Sequence, residues 1–206
     1  MATTPHQIPE LISIGGPLFR NPNISHEDFS SAWHRHAQLV APWFLTFGVV
    51  EYTQIHLPSP NSPNGPVGNP EVSNESAAHR LLRQADGVAF VRCRLLPTAE
   101  GRTGVFGNGG AHPYFAQVIA VDERRFLHEE SGATAVTRER PAYEVPALGA
   151  EAWRDVALAM GGVEYVKIRE GRDAIEGSWW DEWERVEREA GIVTKSDEGE
   201  GLTKKA

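Results

Sequence analysis

A helix signature framed by two strand-like runs constrains this chain more than any other feature. LISIGG (11–16) reads as a short buried strand, with the Gly-Gly-Pro that completes it as its exit. Ser25, with Asp28 three residues on, has the pattern of a capping box, and Phe29, Ala32, Trp33, His36 and Val40 follow at helical spacing. The residue before a proline is pushed out of the helical region, so the helix is expected to stop near Ala41, ahead of Pro42. VVEYTQIHL (49–57) is the second strand, rich in β-branched and aromatic residues. Its two-residue period puts Tyr52, Gln54 and His56 on one face and Glu51, Thr53 and Ile55 on the other.

The remainder alternates in the same way. PSPNSPNGPVGNPEVSN (58–74) is a long loop insertion that is either mobile or a lid. A short helix is expected around 75–84, a strand at GVAFVRCRL (87–95) and a flexible connection at AEGRTGVFGNGG (99–110). HPYFAQVIAVDERRFLHE, from His112, looks helical in two pieces, and AVTRERPAYEV after it offers another strand. EAWRDVALAM (151–160) is a helix candidate and VEYVKIRE (163–170) a strand candidate. Near the C-terminus, Ile175, Trp179, Trp183, Val186 and Ala190 form one stripe of an amphipathic helix over 175–191. The charged segment 193–206 reads as a disordered tail. Interleaved strands and helices predict an α+β fold: a ferredoxin-like, antiparallel sheet with helices on one face, in a single domain over 8–192.

Composition narrows the function. A net charge of −8 over 206 residues gives no basic footprint for nucleic acid or for an anionic membrane. No apolar segment is long enough to span a bilayer, and the single Cys93 allows no internal disulfide, so a cytoplasmic protein is expected, with Cys93 as a small core residue. The eight histidines form neither H-x3-H nor H-E-x-x-H, and no P-loop, G-x-S-x-G or Rossmann glycine pattern is present. No metal is expected. A haem would need only one axial histidine, but nothing calls for it, and the expectation is a protein without cofactor.

The stretch HRHAQLVAPW (34–43) raises the question of an acid/base histidine. His36 lies in the middle of the apolar helix face, whereas His34 is rotated away toward solvent. Burial would keep His36 neutral, the state a general base needs, although a core histidine bonded to a carbonyl fits the same position.

SHEDFSSAWHRHAQLVAPW, then VVEYTQIH, then HPYFAQVIAVDERRF together resemble the EthD domain, over roughly residues 10–145. The family histidine falls on His36, the strand pattern on Tyr52, Gln54 and His56, and the later motif on Asp122, Glu123 and Phe126. The resemblance implies a dimeric α+β barrel of two ferredoxin-like subunits. It also implies a superfamily that holds cofactor-free monooxygenases, haem enzymes and polyketide cyclases, with fungal members that tailor aromatic polyketides. The leading expectation is therefore a homodimeric lyase or cyclase acting on an aromatic, polyketide-like intermediate. His36 would be the base, Gln54 and His56 its catalytic partners, and Tyr52, Trp33, His112 and Tyr114 the substrate contacts.

Ordinary readings stand beside these. Tyr52, Gln54 and His56 also fit the solvated or dimer-facing side of a strand, and His112 before Pro113 fits a turn. Asp122 and Glu123 read as helix-start partners, and the tryptophan stripe as packing. The rival functions are a cofactor-free monooxygenase and a small-molecule carrier or accessory protein to an oxygenase.

Overall fold

The computed structural model describes residues 11–59, 76–99, 101–128, 148–169 and 177–192. In chain order it contains β1 (Leu11–Leu18), α1 (His26–Thr46), β2 (Val49–His56), α2 (Ala77–Leu82), β3 (Gly87–Pro97) and β4 (Thr103–Val105). They are followed by α3 (Ala120–Phe126), α4 (Ala150–Ala159), β5 (Val163–Arg169) and α5 (Gly177–Glu189). The strands form an antiparallel sheet in the order β1-β3-β2-β5, with β4 paired to β3. β1, α1 and β2 make a split strand–helix–strand unit with β3 returning between its strands, the α+β ferredoxin-like arrangement expected. β5 is added at the outer edge of β2. The candidate strand AVTRERPAYEV, most of the 58–74 loop, Ile175 and the 193–206 tail lie outside the described residues.

α1 begins as its cap requires. The Ser25 side chain accepts from the Asp28 N–H at 3.0 Å. It ends later than expected, because Pro42 lies inside it. The proline removes one backbone bond to the Gln38 carbonyl. Aromatic packing outweighs the loss: the Trp43 ring is surrounded by Phe44, Phe47, Phe106 and Phe115 at 4.7–5.6 Å between centroids, and its Nε1 donates to the Gly109 carbonyl at 2.9 Å. The short β4 strand pairs with β3 and Gly109 packs against Trp43 and Phe47, which gives residues 101–110 an ordered seat.

The Gly-Gly-Pro of β1 is part of the strand, not its exit. At Gly15, φ is +146° and a Cβ would lie 2.0 Å from the Ala89 carbonyl oxygen, so glycine is what lets β1 close on β3. Pro17 is tolerated because β1 presents an edge.

The sheet is covered on both faces, not one. Tyr52, Gln54 and His56 of β2 face α1 together with Val91 and Cys93 of β3. On the reverse face Ile55, Val88 and Phe90 are apolar and buried, and such a surface needs a cover. Trp153 and Ala157 of α4, with Leu81 and Leu82 of α2, supply it. Along α5, Trp183 and Val186 are buried on the α1 side, whereas Ala190 is exposed. At the start of α1, buried Asp86 accepts from the Arg20 backbone N–H at 2.9 Å and from its Nε at 3.0 Å, and lies 3.1 Å from His26 Nδ1. Those contacts fix the entry of α1 beside the start of β3.

Trp33 presses directly on Gly87 of β3, where a Cβ would come 2.3 Å from a ring carbon. Gly87→Ala is therefore expected to cost about 1–3 kcal/mol of stability, the usual range for overpacking a rigid core. The shift of the urea midpoint measures it.

Candidate functional site

Three side chains that share one face of β2 meet the inner face of α1. Gln54 is fully buried, and its Nε2 donates to the Trp33 carbonyl at 2.6 Å and to the Tyr52 hydroxyl at 3.0 Å. A carbonyl only accepts, so this orientation of the amide is decided by Trp33 and leaves Gln54 Oε1 facing His56 Nε2 at 3.3 Å. His56 then carries its proton on Nε2, and Nδ1 accepts from the Ser30 hydroxyl at 2.6 Å. Trp33 closes the set, its Nε1 donating to the Tyr52 hydroxyl at 3.1 Å and its ring lying 4.5 Å from that of His56.

His56 opens onto an open cleft of about 340 Å³ lined by Ser30, Ser31, His34, His56 and Tyr165. Burial first, then the charges of Lys167, His34 and His26, push its pKa down to about 4. It is neutral throughout the physiological range. Burial and neighbouring Lys167 also lower His34, while Tyr52, buried and also near Glu123, is pushed above the ordinary phenol range.

His36 lies elsewhere. Its ring is 4% exposed, Nδ1 donates to Asp122 Oδ2 at 2.8 Å, Nε2 is 3.8 Å from Glu123 Oε1, and Phe126 meets it edge-on at 5.1 Å. Two residues along a helix are about 200° apart, so His34 and His36 flank Trp33 on opposite sides. The cleft is on the His34 side. Asp122 and Glu123, read from sequence as helix-start partners, do stand in the first turn of α3, but their side chains also hold His36. His112 and Tyr114 are not brought to the cleft either. His112 stacks on Trp183 at 4.4 Å with 2° between the planes, and Nε2 lies 3.6 Å from Glu187. Tyr114 is fully buried and donates to the Leu39 carbonyl at 2.9 Å. Both lock the segment before α3 against α5 and α1.

Of the expected set, the structure thus gathers Trp33, Tyr52, Gln54 and His56, and adds Ser30, Ser31, His34 and Tyr165. The i, i+4 spacing of Ser30 and His34 carried the signal for the helix side. No three His, Cys, Asp or Glu side chains among the described residues converge as a metal-ligand set.

These features define a class: a ferredoxin-like α+β protein with a neutral histidine held at the mouth of a cleft between its first helix and its sheet. The family model of the EthD domain matches residues 21–130, just over half of the chain, and the protein belongs to that family. No curated protein and no solved structure gave a significant match. The matched segment contains Ser30, Ser31, His34 and His56, while Tyr165 comes from β5, beyond it.

The depressed His56 fixes the sign of one pH effect. An unfolded chain protonates this imidazole near its ordinary 6.5, the folded one only near 4, so acidification through that window favours unfolding. The urea midpoint of the wild type is expected to fall more steeply than that of His56→Gln between pH 6.5 and 5.

Proposed function

We propose that the protein is a cofactor-independent lyase or cyclase that acts on a small aromatic, polyketide-like substrate in the cleft beside His56. The observation that supports it is a neutral imidazole already oriented by Gln54, with its Nδ1 lone pair turned toward Ser30 at the cleft wall. His56 Nδ1 takes an α-proton, the electron pair moves to an enolate oxygen, and the Ser30 hydroxyl turns to donate to that oxygen. Loss of a β-hydroxyl as water, or attack of the enolate on a carbonyl, then completes the reaction. In a decarboxylation no α-proton is removed; the breaking C–C bond supplies the enolate's electron pair as CO2 leaves, and His56 passes a proton from water to the α-carbon. A base this weak suits substrates whose α-proton is activated by an adjacent carbonyl. In this reading His36 is a positioning residue that ties α1 to α3 through Asp122.

The test is incubation of wild type, His56→Ala and His36→Ala with aromatic β-keto acids and β-hydroxy ketones, with and without O2, read by mass spectrometry. Loss of water or CO2, or an isomeric cyclised product, should appear without O2 and fall about 10²- to 10⁴-fold in His56→Ala, the scale for losing a general base. His36→Ala should change stability more than turnover. Product that requires O2 would move the assignment to a cofactor-free monooxygenase, and binding without chemistry to a carrier.

A homodimer belongs to the same reading. α4 lies across the reverse face of the sheet and leaves a polar strip with Glu51, Arg92 and Arg169 for contact with a second sheet. β5 ends the sheet with Val163 and Val166 exposed. Light scattering should give twice the chain mass of 22.7 kDa.

A further inference from the structure

The cleft carries a positive charge that no described residue answers. Lys167 Nζ lies 2.7 Å from His34 Nδ1 and 3.0 Å from its Nε2, and sits 5.3 Å from the centre of the Tyr165 ring. Among the described residues no carboxylate pairs with it. Burial alone moves its pKa, down to about 8, so it is still mainly an ammonium at pH 7, without a counter-ion among the described residues.

Its position is built, not incidental. Tyr52 pairs with Ile168 and Thr53 with Val166, which makes Lys167 the extra residue of a bulge in β5. Regular alternation would send Lys167 and Ile168 to opposite faces. The bulge puts both on the α1 side, with Ile168 buried in the core and Lys167 against His34 at the cleft.

We infer that the cleft binds the carboxylate of a monoanionic aromatic ligand, with Lys167 as its counter-ion, His34 and Ser31 beside it and the Tyr165 ring as a wall. The inference rests on reading the cleft as the substrate site. Lys167 borders the cleft through its contacts with the lining residues His34 and Tyr165, and the lining itself holds no arginine or lysine. A single ammonium suits one negative charge better than a phosphate dianion, which calls for several cationic donors. It also answers how so weak a base could work. The groups facing His56 are His26, Ser30, Trp33 and His34 from α1, Gln54 from its own strand, and Tyr165 and Lys167 from β5. A carboxylate paired with Lys167 offsets the largest of the charges acting against a protonated His56, and strengthens the base when substrate is present.

The experiment is calorimetric titration of wild type, Lys167→Met and Lys167→Arg with 1-hydroxy-2-naphthoate, its primary amide and inorganic phosphate at pH 7. The His56 ring protons are followed by NMR across pH in the same complexes. The naphthoate should bind wild type at least about ten-fold more tightly than the amide, the worth of one charge-assisted hydrogen bond. Lys167→Met should erase that preference and Lys167→Arg keep it. The His56 titration should move up with naphthoate bound to wild type, and not in Lys167→Met. Equal affinity for acid and amide, a preference that survives in Lys167→Met, phosphate binding as tight as the naphthoate, or no binding by any probe would each overturn the inference. Carboxylate-selective binding with no turnover of any acid leaves the inference standing and removes the lyase reading. Turnover that needs His56 while Lys167→Met leaves KM unchanged does the reverse.

Discussion

The indole of Trp33 is the contact on which this molecule's arrangement depends. It fills the space between α1 and the sheet so closely that residue 87 has room for no side chain at all. Its Nε1 and its backbone carbonyl engage Tyr52 and Gln54, and its ring lies against His56. One residue therefore sets the distance between helix and sheet and also the orientation of the amide that selects the His56 tautomer. Packing and site geometry are the same set of contacts, so a change that loosens one disturbs the other.

On either side of that indole the helix carries a histidine, and their surroundings give them different chemistry. His36 sits between α1 and α3, with a carboxylate at each ring nitrogen, and is closed from solvent. His34 and His56 face a cleft whose neighbours are hydroxyls, an amide, a phenol ring and an ammonium. Burial near other cations favours the neutral form of His34 and His56. The same residue type thus serves as a tie between helices in one place and as a candidate base in the other.

Much of the fold was legible because local patterns agreed with the tertiary structure. The Ser25 cap, the two-residue period of Tyr52, Gln54 and His56, and the strand at 163–169 depend on nearest-neighbour chemistry, and the structure places them as that chemistry requires. What sequence could not carry was decided by long-range packing. Pro42 stays inside α1 because aromatic rings more than sixty residues away surround Trp43. Asp122 and Glu123 have the ordinary look of a helix start, and only the approach of α3 to α1 turns them toward His36. His112 and Tyr114 are drawn off by α5 and by the Leu39 carbonyl, contacts that no local spacing announces. Lys167 was hidden for a different reason: its direction is set by a bulge, which breaks the alternation that makes strands readable.

The strand that carries Tyr165 and Lys167 stands outside the segment shared with the EthD family, yet it forms one side of the cleft. Four of the five residues that line the cleft thus lie within the matched segment, and the fifth, Tyr165, comes from a peripheral strand at the edge of β2. A one-residue insertion or deletion in the peripheral strand would re-aim its polar side chains while leaving the Trp33 packing untouched, so the charge beside the cleft is set independently of the contact that holds helix and sheet together.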